Sequence, residues 1–382
     1  MQENYLSEAQ QQIEMLRESA ADFVGRNTDM KRLRERRGTL PGYETEHLRH
    51  MADLGWLGIV LPEAHGGLGL GFSELTVVLQ ELGKGLMADP LVPVAFAARV
   101  LQHGDNEALK QSLLPQVVDA SLLPCVAWQE GLGGIETAAI ETRVEADGSD
   151  LLLTGRKRFV ASAAGAGGFV VSARGAAGCG LYWIGAQAAG VTVHHEQRAD
   201  ETPSGVLEFD RVRITPADVV SAAGPQGLAA LDRALDEAMV LAGAEMLGVV
   251  EAVLQMALGY MRTRVQFGKP IGSFQALQHK ATDLYVQQEL VRAVLAEAIR
   301  VFDDAGTSAT ERALMASRFK ARASDGGLRV AREVIQLHGA IGFTDEYDAG
   351  LYLKRALVLS AWLGNASAHR RRFAALQQEV AV

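Results

Sequence analysis

Cysteine is almost absent from the 382-residue sequence, which contains only Cys125 and Cys179. Two cysteines cannot build the disulfide framework of a small secreted protein, and no group of Cys and His residues has the spacing of a zinc site. The sequence therefore predicts no metal centre, and it favours the cytoplasm as the compartment.

Long apolar runs and a surplus of basic residues are also missing. No run reaches the roughly 18 apolar residues of a membrane span, and the first residues lack the basic and apolar segments of an export signal. The 46 acidic and 37 basic residues give a net charge of −9 spread along the chain, which argues against a nucleic-acid binder. We expect a globular protein of two or three domains, with neither a membrane nor a nucleic acid as its partner.

Three segments of the sequence differ in their residue pattern. Residues 1–120 carry apolar residues at helical spacing and predict a helical N-terminal domain, whose first helix begins at a capping box of Ser7 and Gln10. Residues 121–222 change to short β-branched or apolar runs bounded by Gly and Asp, which predict an antiparallel sandwich or barrel. Residues 223–382 return to helical periodicity and predict a C-terminal bundle.

The C-terminal segment has room for four long amphipathic helices joined by short links. They are predicted at 226–264, 273–303, 307–337 and 348–380, the last broken near Gly364. Because each apolar stripe needs a neighbour to bury it, the pattern indicates an antiparallel four-helix bundle.

The junction between the first two bundle helices carries residues that suit a nucleotide. Arg262 and Arg264 precede Phe267, a glycine and then Gln275. Arginine pairs with pyrophosphate and an aromatic ring stacks on a base. A solvated basic helix end, favoured by the helix dipole, explains the same residues, and the pattern alone leaves both interpretations open.

Residues 264–275 resemble the R-x-x-F-G-x-x-x-x-x-x-Q motif of acyl-CoA dehydrogenases, and residues 336–342 (QLHGAIG) resemble that family's Q-x-x-G-G-x-G turn. The run 153–160 (LTGRKRFV) is similar to its L-x-G-x-K-x-[WF]-[IV] run. The resemblance covers nearly the whole chain. It implies an α+β fold of the acyl-CoA dehydrogenase type: an N-terminal helical domain, a central antiparallel β domain and a C-terminal four-helix bundle that is also the oligomer interface.

The resemblance implies FAD as the cofactor, held between subunits. Carried over position by position, the residues that bind its ADP half are Arg264, Phe267, Gln275, Gln336 and Gly339. On the flavin-ring side, Gln129, Phe159 and Ala161 occupy family positions, but two hydroxyl-bearing residues of the family pattern are missing. Backbone N–H groups and Gln129 are the expected substitutes.

The implied reaction is α,β-dehydrogenation of an acyl-CoA thioester, in which a carboxylate takes the α-proton and flavin N5 takes the β-hydride. Most members carry this base near the C-terminus, where the present chain has Leu363. Members resembling isovaleryl-CoA dehydrogenase carry it on the first bundle helix, at a position that gap-free counting assigns to Ala238. Glu237 is the expected base if a one-residue irregularity near Gly243 brings it into register, and otherwise a solvated helix-face carboxylate.

Two functional states follow from the resemblance. In the first, the chain is a complete enzyme that uses Glu237, forms a homodimer or homotetramer, and passes electrons to an electron-transfer flavoprotein. In the second, it is similar to the small subunits of heteromeric dehydrogenases for pimeloyl-CoA-like or steroid side-chain thioesters. Such a subunit contributes half of the FAD site to a heterotetramer with a second dehydrogenase chain. An oxygen-using flavin monooxygenase on the same fold is a weaker third interpretation.

Overall fold

The computed structural model describes residues 7–87 and 89–380. Packing divides the chain into two compact units. The bundle unit comprises Met1–Leu33, Gly71–Met87 and Met239–Val382, and the sheet unit comprises Arg34–Leu70 and Ala88–Ala238. The three segments expected from the sequence are defined by residue pattern and not by packing, so the three-domain division stays a prediction.

Helices account for most of the described residues outside the sheet. They are α1 (Glu8–Asn27), α2 (Met30–Glu35), α3 (Thr45–Asp53), α4 (Phe72–Lys84), α5 (Leu91–His103), α6 (Glu107–Val118), α7 (Ala229–Thr263), α8 (Gln275–Asp303), α9 (Ala309–His338), α10 (Ala349–Ala361) and α11 (Ala366–Val380). The first begins as predicted, because the Ser7 hydroxyl accepts from the backbone N–H of Gln10 at 3.3 Å while the Gln10 side chain accepts from the backbone N–H of Ser7.

The strands of the sheet unit form one eight-stranded sheet. They are β1 (Pro124–Ala127), β2 (Arg143–Asp147), β3 (Asp150–Ala161), β4 (Gly168–Gly175), β5 (Gly178–Gly185), β6 (Val191–Gln197), β7 (Pro203–Ile214) and β8 (Val219–Gly224). The order is β6-β7-β3-β2-β4-β5-β8, with β1 paired to β4. Its core contains Leu153, Phe169 and Leu207, which are fully buried.

The sheet is mixed and not purely antiparallel as the sequence predicted. β1 pairs with β4 in parallel over four residues, and β2 meets β4 in parallel at Arg143 and Arg174. Parallel partners need a crossover of a dozen or more residues. The residues between β1 and β4, which include the β2–β3 hairpin, supply it, and turn signals alone do not reveal such a return.

Two glycines let α4 and α7 cross closely inside the bundle unit. A Cβ at Gly248 would lie 1.9 Å from the carbonyl oxygen of Gln80, and a Cβ at Gly83 would lie 2.3 Å from that of Glu245. Both positions therefore require glycine. Among the described residues, α7 has the length and hydropathy of a membrane span, but 78% of its most apolar window is buried, as in the core helix of a soluble protein.

The last predicted bundle helix is divided where the sequence indicated. α10 ends at Ala361 and α11 begins at Ala366. Between them, Leu363 and Gly364 both adopt positive φ, at 60° and 98°. Glycine tolerates this conformation and leucine does not without strain, so the surrounding contacts hold this turn in place.

Candidate functional site

A two-residue hairpin presents Phe267 on the surface of the bundle unit. After α7 ends, β9 (Val265–Gln266) pairs with β10 (Lys269–Pro270), and the turn residues Phe267 and Gly268 have φ of 51° and 80°. Positive φ at both positions is the signature of a type I′ turn. The Phe267 side chain is 91% exposed and meets Phe274 only edge-on, with centroids 6.1 Å apart. A ring left outside the core at a strained position is available for stacking on a ligand.

The other residues expected at the ADP half lie near one end of α8 and α9. Gln275 begins α8, and Gln336 lies in the last turn of α9, just before Gly339. Lys280 and Glu333 join the two helices through an ion pair of 2.5 Å. Since this pair lies within two turns of both glutamines, the start of α8 and the end of α9 adjoin each other.

We call these residues, Arg264, Phe267, Gln275, Gln336 and Gly339, the ADP cradle, and they form an open and basic surface. A Cβ placed on Gly339 would meet nothing within 4 Å. The Arg264 side chain is exposed and makes no ion pair with the residues that the structure describes. No side chain caps the N-terminus of the 29-residue α8. The N–H groups of Leu277 and Gln278 donate to the Phe274 carbonyl. Those of Gln275 and Ala276 are therefore available to an anion. An exposed ring, a free guanidinium, two amides and open backbone are a donor set that fits the ADP half of FAD.

The ring-side candidates come together within the sheet unit. The pairing of β3 with β7 shifts between Lys157 and Val160, and Phe159 within this bulge has φ of 58°. The backbone N–H of Arg158 donates to the carbonyl of Gln129 at 2.8 Å, which joins the loop after β1 to the bulge. Ala161 follows two residues later and is buried. The Gln129 amide nitrogen donates one of its two hydrogens to the Gly134 carbonyl within its own loop, so its oxygen and its second N–H are left for a ligand.

The same region contains a buried ion pair that the sequence analysis did not single out. The Lys157 ammonium, with no exposed surface, lies 2.6 Å from the Glu130 carboxylate and 3.0 Å from the Ser172 hydroxyl. Burial lowers the pKa of Lys157 to about 8, against the opposing effect of Glu130. The Glu130 carboxylate also accepts from the backbone N–H groups of Glu141 and Thr142. One carboxylate therefore ties the Gln129 loop, β3 and the approach to β2 together.

Glu237 lies on the part of α7 that belongs to the sheet unit, and its carboxylate is fully engaged. Arg99 donates from Nε and Nη2 at 2.6 and 2.7 Å, and His103 Nε2 lies 2.9 Å from Oε1. Burial by itself raises the pKa of Glu237, but Arg99 and then His103 bring it down to about 2. Such a carboxylate is a weak proton acceptor. The α-helix runs unbroken through Gly243. The one-residue irregularity that would bring Glu237 into the position of the family's base is therefore missing from α7.

The more common base position is also occupied by a group that cannot accept a proton. Leu363 is 1% exposed. The buried Lys320 ammonium donates to the carbonyls of Leu359 and Gly364, both at 2.9 Å, and His369 Nε2 lies 2.9 Å from the Leu363 carbonyl. Burial lowers the pKa of Lys320 to about 7. Lys320 and His369 both hold the strained turn. His369 lies six residues after Leu363, whereas Lys320 is 44 residues before Gly364, and this separation hid its role from the sequence.

No group of three or more His, Cys, Asp and Glu side chains suited to a metal ion occurs within residues 7–87 and 89–380.

Comparison with known proteins agrees with these features. Family models described as the acyl-CoA dehydrogenase N-terminal and C-terminal domains match residues 10–121 and 225–376. Acyl-CoA dehydrogenase IpdE2 of Mycobacterium tuberculosis is 30% identical over 344 residues, which are 90% of this chain and 90% of that protein.

Two solved structures extend the comparison. One, described as a Tcur3481-Tcur3483 steroid ACAD variant, is 33% identical with a TM-score of 0.87 and covers 97% of this chain and 99% of its own. The ChsE4-ChsE5 complex from Mycobacterium tuberculosis matches with 26% identity and a TM-score of 0.87 over 98% of both chains. The predicted fold class is confirmed, and so is FAD as the cofactor, since it is the cofactor of the acyl-CoA dehydrogenase family. The chain belongs to the acyl-CoA dehydrogenase family of FAD-dependent oxidoreductases.

Proposed function

We propose that this chain is a subunit of a heteromeric acyl-CoA dehydrogenase. It binds the ADP half of an FAD, and a second dehydrogenase chain supplies the flavin-ring pocket and the catalytic base. The observation that carries the proposal is the state of Glu237, whose carboxylate is held by Arg99 and His103.

The reaction needs a base that can take the α-proton of the thioester. A general base works best when its pKa lies near the working pH and its lone pairs face the substrate. Glu237 has a pKa of about 2 and three hydrogen bonds to cationic or cation-forming groups. Leu363 provides no acceptor at the other family position. Neither of the two family positions for the base, at Glu237 and at Leu363, therefore provides an effective base, which favours a base from another chain.

The features that bind the cofactor divide unequally between its two ends. When bound, the flavin accepts the β-hydrogen as hydride. The ADP set, Arg264, Phe267, Gln275, Gln336 and Gly339, is complete and open, so these residues would hold the pyrophosphate and adenosine. On the ring side two hydroxyl-bearing residues of the family pattern are missing, and Gln129 uses one of its two amide hydrogens within its own loop. A subunit that has the ADP-binding residues and lacks the base fits the role of contributing the ADP half of an FAD site that it shares with another chain.

The relatives support a two-component assembly. The ChsE4-ChsE5 and Tcur3481-Tcur3483 structures are each described with two components, the second as a steroid ACAD. We extend this to the present chain as a heterotetramer that dehydrogenates a bulky, steroid-derived or branched acyl-CoA thioester. Its electrons pass to an electron-transfer flavoprotein.

The competing candidate is a complete homo-oligomeric enzyme with Glu237 as its base. The burial of this carboxylate, next to the register position Ala238, favours it. The two candidates are distinguished by purifying the chain alone and together with a second dehydrogenase chain. That second chain has the family's C-terminal base, a glutamate in a Y-E-G-T sequence, where the present chain has Leu363. Flavin is measured by visible absorbance, and turnover by anaerobic bleaching with an acyl-CoA panel.

Under our proposal, the chain alone retains little FAD, the complex is yellow and bleaches, and Glu237→Gln leaves the bleaching by a folded complex intact. Glu245→Gln is the matched control, because Glu245 is also a buried α7 carboxylate bound by one arginine, Arg355. Stoichiometric FAD in the isolated chain, with bleaching that Glu237→Gln abolishes and Glu245→Gln spares, would establish the complete enzyme instead.

A further inference from the structure

Three aromatic rings of the bundle unit, those of Tyr260, His338 and Tyr347, contact one another at tilted or edge-on angles. The His338 ring lies 4.7 Å from Tyr260 and 4.7 Å from Tyr347, measured between centroids, and the two tyrosines are 6.3 Å apart. These separations are in the range of favourable aromatic contacts. We call these three residues the aromatic stack.

The stack connects the two sequence segments that form the cradle. Tyr260 lies in the last turn of α7, and its carbonyl accepts from the backbone N–H of Arg264 at 2.8 Å. His338 lies between Gln336 and Gly339 at the end of α9. The ring contact between Tyr260 and His338 therefore joins the end of α7, just before the Arg264 hairpin, to the Gln336 turn.

The hydrogen bonding of His338 points to a ligand. Its Nδ1 lies 2.8 Å from the carbonyl oxygen of Val334. A carbonyl only accepts, so Nδ1 carries the proton and Nε2 of the neutral ring is an acceptor. His338 is 3% exposed, and Nε2 has no hydrogen-bond partner among the residues described. A buried polar atom in this state is rare and calls for a partner that the protein itself does not provide.

We propose that His338 is a positioning residue for the ADP half of the cofactor: its ring fixes the hairpin against the Gln336 turn, and its Nε2 accepts a hydrogen bond from a donor of the adenosine. This inference rests on the proposed function, because it assigns a further residue to the same ADP cradle. Removal of the ring should weaken ADP binding more than removal of the nitrogen alone.

ADP itself is the probe, titrated by calorimetry into the full-length chain. His338→Leu removes both the stack and the acceptor, and we expect its Kd to rise about tenfold or more. His338→Phe keeps a ring between the tyrosines and removes the acceptor, and we expect a rise of about three- to tenfold. Phe302→Leu is the matched control, since it breaks the Phe72–Phe302 ring pair, 5.2 Å apart, elsewhere in the bundle unit. It should lower the melting temperature and leave the Kd unchanged.

Arg264→Ala separates the inference from the proposed function. If Arg264→Ala weakens ADP binding and His338→Leu stays within twofold of the unmodified chain, the role of His338 is refuted and the cradle stands. An equal loss of affinity in Phe302→Leu and His338→Leu would reduce His338 to general stability and also refute the role. If the unmodified chain fails to bind ADP at about 10 mM, or Arg264→Ala has no effect, the cradle itself is wrong.

Discussion

Glu237→Gln should destabilise the sheet unit and change how its stability depends on pH. The pKa of Glu237 falls from 4.5 to about 2 in the folded chain, and this difference corresponds to about 3 kcal/mol of unfolding free energy at neutral pH. Because the folded pKa is depressed, the contribution is present above about pH 4.5 and is lost as the pH falls toward 2. Glutamine removes the charge and leaves Arg99 buried without its counter-ion, so we expect a loss of about 3 kcal/mol at pH 7.

Urea denaturation followed by tryptophan fluorescence measures this loss. Trp56, Trp128 and Trp183 lie in the sheet unit, so a Trp362→Phe background restricts the signal to that unit. The matched control is Glu196→Gln, which breaks the half-exposed ion pair with Arg158.

The control should cost less than about 1 kcal/mol. The difference in unfolding free energy between Glu237→Gln and the unmodified chain should decrease as the pH falls from 4.5 to the lowest pH at which the chain stays folded. If Glu237→Gln lowers the unfolding free energy by less than about 1 kcal/mol at pH 7, or by an amount that does not change with pH, the ion-pair network is refuted as the reason for the low pKa.

Three further outcomes are expected. Lys320→Met should flatten the pH dependence of stability. The pKa of Lys320 is about 7 in the folded chain and 10.5 in the unfolded chain, so the unmodified chain gains stability as the pH rises between these values. A variant whose unfolding free energy, from urea titrations, has the same slope against pH as the unmodified chain would contradict this. Phe267→Ala should change the melting temperature very little, because the ring is exposed, yet weaken ADP binding in calorimetry; the reverse pattern would make Phe267 a structural residue. Gly248→Ala places a Cβ 1.9 Å from a backbone oxygen and should lower the unfolding free energy, measured by urea denaturation, by about 1–3 kcal/mol. An unchanged unfolding free energy would show that α4 and α7 are free to separate.

Local patterns predicted the elements of this fold well. The capping box at Ser7, the long bundle helices and the break near Gly364 depend on residues within one or two turns of each other, and the structure confirms them. The sheet was predicted as a β region, but its parallel pairings were not. Strand order depends on the return path of the chain, which turn residues do not encode.

The candidate site shows the same difference. The Phe267 hairpin depends on the turn residues Phe267 and Gly268 and on the short strands beside them, so the motif indicates where it lies. The prediction of Glu237 as the base depends on positions along one helix. Arg99, which binds its carboxylate, is 138 residues earlier in the chain, and the partner of a carboxylate determines whether it is a base or half of an ion pair.

The sequence by itself determined the helical and β segments, the family resemblance and the two short segments that we propose as the ADP cradle, because each of these depends on spacing along the chain. Only the tertiary structure decided the charge state of Glu237, the burial of Lys320 beneath the Leu363 turn and the aromatic stack around His338. Each of these arises where distant segments meet in a low-dielectric interior. There, the cost of burying a polar group is set by neighbours that the sequence order does not reveal.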